Sequence, residues 1–503
     1  VIQLAELIDP KKVKAKNILP FNQRVVGDKI MISNEFGDYT FLSPEDFQRF
    51  IQGKIKKDEA LYTELAEKAF YADEIDDEAL IARYKNRKHF IQHGPTLHAM
   101  VLTERCNHGC QYCHSSIVGM DKTDTDMSVD VSERAVDFAF QTTSNWLTIE
   151  FQGGEPTANW DTLKHIVEYA QRKNRIAQKE LAFALVTNFS LMTDEKLDFL
   201  IENKVQICTS LDGPEDLHNS IRIYKDGNSY QLTTEWIQKV NQRYIDLGLD
   251  PSLYRVEALP TITRASLSRY KEIIDEYVRM GCRAIFLRKL DPFGFAAATQ
   301  KTLGYTMDEF LEFYKNAVDY IIELNKEGAE VMERHAAIML NKMIVGLEPN
   351  YLDLRSPGGA VIGQVAYHPD GSIYTSDEGR MVAAMGDGDD LFRVGDVQTW
   401  GYNEIMLGAT TRGMILASSN DGQPHCTSCV YKIYCGLQPE YNYKTQGSIF
   451  GRMADSDWCK KHMGIFDYLA HRLKDADEAE MAIFDRWTTN RRQDHFVQEV
   501  GEI

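Results

Sequence analysis

The sequence has little of what would staple it, stiffen it or carry it into a membrane. Nine cysteines and 14 prolines in 503 residues are too few thiols for a disulfide-built secreted scaffold and too little proline for a fibrous or linker-rich chain. No apolar run approaches the roughly 18 residues a membrane span needs. The opening, Val1 to Leu19, carries Lys11, Lys12, Lys14 and Lys16 where a signal peptide would have an apolar stretch. Positive charge is also short: 56 Lys and Arg against 75 Asp and Glu give a formal net charge of −19, and such a chain repels phosphate backbones. Neither nucleic acid nor membrane is expected as a partner, and a cytoplasmic location is. The first residue is Val rather than Met, so a few residues are expected to be missing.

What is present is the balance of a globular protein, 43% hydrophobic and 26% charged. At about 150 residues per domain the length suggests roughly three units. From Leu97 to Gly328 β-rich runs alternate with amphipathic helical stretches. Leu97–Thr103, Trp146–Gln152, Leu181–Thr187, Val205–Leu211, Tyr254–Ile262 and Ala284–Leu290 read as strands, each followed by a helix. Val131, Ala135 and Phe138 form one face of the first helix, Leu163, Ile166, Val167 and Ala170 one face of the second, and Thr193 is placed to cap the third. Repeated strand–helix units force a parallel sheet with right-handed crossovers. Six units fall two short of the eight of a closed barrel, so a partial (β/α)6 barrel in an α/β chain is expected, with active groups on the loops after the strands. Before it, Arg24–Leu42 reads as a hairpin turning at Asn34–Gly37, followed by helices at Ser43–Gln52 and Asp58–Ala69. After it, helices near Met307–Lys326 and His335–Ile344 lead to a Gly- and Asp-rich region, Pro357–Asp396.

Seven of the nine cysteines fall in two groups. Cys106, Cys110 and Cys113 form a C-x3-C-x2-C loop directly after the first barrel strand. Three thiolates from one loop can hold three irons of a [4Fe-4S] cube and leave the fourth open to a chelating small molecule. A zinc site completed by His108 or His114 fits the same spacing. Cys426-x2-Cys429-x5-Cys435 with Cys459 can close around zinc or a complete cluster. Cys208 and Cys282 adjoin apolar segments and are expected in the core.

After the second strand stands Gln152-Gly153-Gly154-Glu155-Pro156, where glycines let a ligand approach the backbone and a carboxylate can hold an ammonium. A C-x3-C-x2-C loop after strand one with GGEP after strand two resembles the radical S-adenosylmethionine (SAM) superfamily across the whole six-unit segment. The resemblance implies SAM and a SAM-binding [4Fe-4S] cluster on Cys106, Cys110 and Cys113. It places Tyr112 near the adenine, Gly153, Gly154 and Glu155 at the methionine amino group with Gln152 beside them, Asn188 and Ser210 near the ribose, and Arg222, 12 residues beyond Ser210, paired with SAM. The chemistry implied is reductive cleavage of SAM to a 5′-deoxyadenosyl radical that abstracts a substrate hydrogen.

The second cysteine group is similar to the C-terminal extension of SPASM-type radical SAM maturases, which implies one auxiliary [4Fe-4S] cluster on Cys426, Cys429, Cys435 and Cys459. A full extension has further cysteines for an inner cluster. Here Asp370-Gly-Ser-Ile-Tyr374 is followed by Thr375 and Ser376, and Cys435 by Gly436-Leu-Gln-Pro439, so one auxiliary cluster is expected rather than two. Asp377 falls where related maturases have a proton-accepting aspartate, although with Arg380 it could equally form a surface ion pair.

The Arg24–Ala69 segment resembles a small winged-helix-like precursor-recognition module, whose edge strand would take a leader peptide by β-addition. The order of LPFN, TFLSPEDFQRF, TIEFQGGEP, TSLDGPEDLHN, IIDEYVRMGCRAIFLR, SDEGRM and MGIFDYL resembles the His-Xaa-Ser system radical SAM maturases over all but the last thirty or so residues. The division implied is a recognition module over 1–95, a radical SAM partial barrel over 96–330, an iron–sulfur extension of the SPASM or twitch kind over 331–475 and a helical tail over 476–503. The function implied is modification of a ribosomally made precursor peptide bearing a leader, with electrons from a flavodoxin- or ferredoxin-type donor. Oxidative side-chain cross-linking, of a cyclophane or similar kind, is favoured because a second cluster can accept the second electron. Epimerisation and sulfatase-maturase-like modification of a folded protein are the alternatives, and a zinc-stabilised scaffold without turnover is the reading from another class.

Overall fold

The computed structural model describes residues 16–349, 351–385 and 389–499. The first fifteen residues of the expected recognition module and part of the Asp387–Asp390 loop lie outside them.

The chain begins with a three-stranded antiparallel sheet, β1 (Asn22–Val26), β2 (Lys29–Ser33) and β3 (Tyr39–Leu42). The expected hairpin is its second half. The first turn is Gly27–Asp28, with Gly27 at φ +62, a two-residue connection too short to read from composition. Helices Pro44–Ile51, capped by Ser43, and Ala60–Glu67 pack on it around Ile30, Ile32, Phe47, Phe50 and Leu65, a core separate from the rest.

Five parallel strands form the centre of the large sheet: β4 (Leu97–Val101), β6 (Trp146–Gln152), β7 (Glu180–Val186), β8 (Val205–Ser210) and β10 (Glu257–Leu259). Two short strands, β5 (His108–Cys110) and β9 (Arg222–Tyr224), interrupt that series in sequence and pair with each other. The expected fifth and sixth strands each break in two. β10 is continued by β11 (Thr261–Ile262), and β12 (Ala284–Ile285) by β13 (Arg288–Lys289), which lies parallel to β11. β14 (Met332–Glu333) extends the series beyond β12.

The side chains explain the curvature. Leu147, Ile149 and Phe151 of β6 are fully buried outward against helices Val129–Ala139 and Trp160–Ala177, whose expected apolar faces are all buried there. Thr148, Glu150 and Gln152 alternate onto the inner face and stay half-buried. β8 repeats the pattern with Gln206, Cys208 and Ser210 inward. The concave side is therefore a polar lumen rather than a packed interior. Cys208 lies on that lumen face, not in the apolar core where its neighbours suggested it; Cys282 is buried as expected.

The remainder of the chain joins the same sheet. β15 (Gln364–Tyr367) pairs parallel with β4, and β16 (Ser372–Tyr374) and β17 (Arg393–Asp396) continue it antiparallel, giving eight mixed strands. One hydrophobic core runs through the barrel and the C-terminal segments alike, so no break in the core marks the expected boundary near 330. The tail is helical over Glu478–Thr488 and then becomes a strap with one 3-10 turn at Asp494–Phe496.

Candidate functional site

The first cysteine loop leaves the end of β4 and is pinned along its length. Thr103 Oγ1 and Arg105 Nε donate to Asp126 Oδ1 at 2.6 and 2.8 Å, fixing its root. Its middle is β5, in register with β9 so that His108 lies opposite Tyr224 and Cys110 opposite Arg222. His108 stacks on Tyr224 at 4.6 Å, with Nε2 3.0 Å from Ser229 Oγ and Nδ1 3.3 Å from Asn107 Oδ1. Both ring nitrogens of His108 thus have protein partners, whereas the buried Nε2 of His114, the other candidate ligand, has none among the described residues. At the far end the amide of Phe295 donates to Cys113 O at 2.7 Å.

The GGEP turn locks onto this loop. The amides of Gly154 and Glu155 donate to the carbonyls of Thr103 and Arg105 at 2.8 and 2.7 Å. A Cβ on Gly153, which holds φ +136, would lie 2.3 Å from Thr103 O, and one on Gly154 2.2 Å from Arg105 O. What comes close to both glycines here is the cysteine loop itself. Glu155 is fully buried. Its Oε1 accepts from the Thr157 and Thr187 hydroxyls, the latter at 2.7 Å, and its Oε2 from the Asn188 amide at 2.8 Å. The carboxylate thus ties β6 to the end of β7, and Oε2 keeps capacity for one more donor.

Tyr112 and Arg222 are brought together. Tyr112 donates to Asp212 Oδ2 at 2.6 Å and accepts from Arg222 Nη1 at 2.9 Å, all three buried. Burial pushes the Asp212 carboxyl up while Arg222 pulls it back. Asn188 Nδ2 lies 3.6 Å from Cys106 Sγ. Gln152, bonded to Glu150, and Ser210 face the lumen from β6 and β8. Asp377 pairs with Arg380 at 2.7 Å, and Arg380 is buried with both terminal nitrogens unpartnered. Arg380 feels the charges of Glu104 and Cys113, which puts this pair at the cysteine loop and not on the outer surface.

Sequence reasoning missed Asp212, whose one signal was its place at the end of strand four, and Asp126, which had none. It also missed the β5–β9 pair, because three-residue strands fall below any periodicity.

The thiols form two electrostatic groups. Burial pushes Cys106 up to about 12, with Glu155, Cys110 and Cys113 adding to it, and Cys110 up to about 11 against the pull of Arg222. Burial likewise pushes Cys426 to about 12 and Cys459 to about 11, and Cys435 feels all three of its companions. Among the described residues no three His, Cys, Asp or Glu side chains converge closely enough for a single metal ion. Three soft donors on a doubly pinned loop suit a cube with an open iron, and four suit a closed one.

Residues 100–268 match the model of the Radical SAM superfamily. The chain carries a radical SAM domain. The superfamily works with SAM and a [4Fe-4S] cluster, the donor set just described. The radical SAM cyclopropyl synthase TigE of Paramaledivibacter caminithermalis is 23% identical over 264 residues, 43% of this chain and 55% of that one, so the match spans about half that relative's length. A cysteine-type anaerobic sulfatase-maturating enzyme of Clostridium perfringens is 23% identical over 307 residues, covering 60% and 76%. The radical SAM domain is thus related to those of a radical SAM cyclopropyl synthase and of sulfatase-maturating enzymes. Among solved structures, native anSMEcpe with bound AdoMet superposes with TM-score 0.62 at 19% identity, covering 77% of this chain and 100% of that one. Streptococcus suis SuiB bound to S-adenosylmethionine gives 0.51 at 14%, covering 88% and 100%. At these identities the likeness is one of fold. Among the described residues no helix is long and apolar enough to cross a membrane.

Proposed function

We propose that the chain is a radical SAM peptide maturase that oxidatively cross-links side chains of a ribosomally made precursor. The observation that carries this reading is the pinned three-thiol loop over a polar lumen, together with a second four-thiol group in the same chain. Cys106, Cys110 and Cys113 would hold the SAM-binding cluster and Cys426, Cys429, Cys435 and Cys459 an auxiliary one. A cluster held on the first loop would, with SAM bound, supply one-electron reductive chemistry that ends in hydrogen abstraction from the substrate.

The chain's own groups position and exclude. The Gly153–Glu155 turn fixes the loop's height over the lumen, and Glu155 Oε2 would take the SAM ammonium as its last donor. Tyr112, held by Asp212 and Arg222, presents a fixed ring beside Cys113. Gln152, Asn188 and Ser210 would line the ribose side. Asp377, with its charge balanced by Arg380, would receive a proton from the substrate.

The N-terminal sheet and its two helices, within the proposed module 1–95, would bind the leader by β-addition. That unit is docked on the second thiol group: Arg24 grips Asp467 through two bonds of 2.5 and 2.6 Å, and Ser33 Oγ donates to Val430 O at 2.6 Å. A leader bound there would sit beside the proposed auxiliary cluster. SuiB has been solved bound to its precursor peptide SuiA, which supports a peptide substrate here.

The test is iron, sulfide and zinc content of anaerobically purified protein, with deoxyadenosine release under reductant and SAM. About eight irons per chain with deoxyadenosine release is expected. Zinc without iron, and no deoxyadenosine after cluster reconstitution, would leave a metal-stapled binding protein. A peptide product that forms equally well without residues 1–95 would favour the reading as a maturase of folded proteins.

A further inference from the structure

The two stretches in which the expected inner-cluster cysteines are missing meet in space. Thr375 and Ser376, directly after β16, both donate their hydroxyls to Glu440 Oε1, at 2.8 and 2.9 Å. Glu440 follows the Gly436–Pro439 stretch that lacks the later cysteine. It is fully buried, and its Oε2 has no partner. A buried carboxylate oxygen left unbonded costs free energy unless something fills the position.

Two more carboxyls are near. Asp353 lines a small cavity with Glu440 and accepts from the Tyr351 hydroxyl at 3.2 Å, and Glu378, which feels the charges of Asp353 and Glu440, has no side-chain hydrogen-bond partner among the described residues. That cavity, lined by Asp353, Ser376, Gln438 and Glu440, has about 10 Å³ for the centre of a water-sized group, the room one water or one ammonium needs.

Cations stand around it: Arg380 pairs with Asp377 through Nε, Lys289 pairs with Asp291, and Lys461 and Arg288 pull the Asp353 carboxyl down against its burial. Besides burial, Glu378 feels Asp353, Asp377 and Glu440, all negative, and Glu440 feels Asp353. Each of the three carboxyls is consequently raised, burial being the first cause. Carboxylates in that condition gain most from a cation that arrives with hydrogen bonds to give. The planar guanidinium is too broad for a space of one water.

We propose that Glu440 and Asp353, which line this cavity, with the Thr375 and Ser376 hydroxyls on the other oxygen of Glu440 and the charge of Glu378 beside them, form a subsite for the ammonium group of a lysine-type side chain of the peptide substrate. It rests on the peptide-maturase reading and names a feature of the peptide: a lysine placed close to the residue that reacts.

The test uses the full-length, anaerobically reconstituted holoenzyme with SAM and two probes, N-acetyl-lysine methylamide and N-acetyl-norleucine methylamide, by titration calorimetry. The expected result is binding of the lysine probe at least about tenfold tighter than norleucine, with that preference lost in Glu440→Gln and in Glu378→Gln. Glu378→Gln keeps the test decisive if the buried Glu440→Gln variant fails to fold, since Glu378 has no side-chain hydrogen-bond partner among the described residues. Equal binding of the two probes, or a lysine preference that survives both substitutions, overturns the subsite. Deoxyadenosine release by the wild-type holoenzyme is scored separately. Its absence would remove the radical reading, whereas a lysine preference that vanishes with Glu440 or Glu378 would still place an ammonium site here.

Discussion

Gly153 and Gly154 show how single residues set the geometry of this site, since each omits a Cβ that would collide with a carbonyl of the cysteine loop. Neither carbonyl can retreat, because Thr103 O and Arg105 O also accept from Gly154 and Glu155. Gly153→Ala adds a strained φ to the clash. The expected cost is about 1–3 kcal/mol or more, and because it falls on the loop, the iron held after anaerobic reconstitution should drop by more than the change in melting temperature would suggest. Full iron content in a folded Gly153→Ala protein would show that the loop does not depend on this contact. His368, beside the same loop, gives a pH signature. Burial alone would lower its pKa, but ion pairs with Asp370 at 3.0 Å and Glu104 at 3.2 Å win and raise it to about 8. A folded pKa above the ordinary 6.5 means stabilisation fully present below 6.5 and lost as pH rises through about 8, on the order of 2 kcal/mol. The gap in denaturation midpoint between wild type and His368→Gln should therefore close between pH 6.5 and 8.5, and a gap constant over that range would refute the assignment.

At the scale of elements, the sequence was legible where burial repeats with a period. Trp146–Gln152 is a strand over just those residues because Leu147, Ile149 and Phe151 alternate with half-buried polar positions. Helix Asp194–Glu202 begins at Thr193, whose side chain accepts from the Lys196 amide, because a threonine before an acidic first turn is itself a local signal. The fifth and sixth strands were legible only as single runs. Their break into β10–β11 and β12–β13 comes from register with partners far away in sequence. The β5–β9 pair joins segments more than a hundred residues apart through three residues each, and the β15–β4 pairing comes from a segment that reads as a Gly-rich loop. The cysteines and GGEP stood out by type and spacing, and Arg222 only through the family resemblance they carry. Asp353, Glu378 and Glu440 did not, because isolated acidic residues look the same in sequence on a solvated surface and in a closed pocket.

At the scale of the whole molecule, the polar lumen must be closed at its base, and the C-terminal strap does this. β8 begins opposite Phe183, leaving the start of β7 without a partner on that side, and the strap fills the gap: Val497 bridges Ala182, and the Gln498 amide donates to Leu181 O at 2.8 Å. Phe496 is buried between Tyr244 and Tyr254, with ring centroids 5.8 and 5.5 Å away. Gln493 donates to Leu253 O at 2.8 Å and accepts from the lumen-facing Gln206 at 3.3 Å, while Arg491 and Arg492 fasten the strap to Asp250 and Glu180. Removing the chain from Arg491 onward would expose the base of β7 and β8 and the underside of Tyr244, at about 1.5–3 kcal/mol for the lost Phe496 burial alone. It would also give water and oxygen a second entrance to the chamber under the cysteine loop. The truncated protein should reach the wild-type iron content when reconstituted without oxygen, melt at a lower temperature, and then lose its cluster absorbance several times faster in air. Phe496→Ala should lie between the two. Bleaching at the wild-type rate in a truncated, destabilised protein would show that oxygen enters by the mouth of the barrel, and would reduce the strap to a stabilising element.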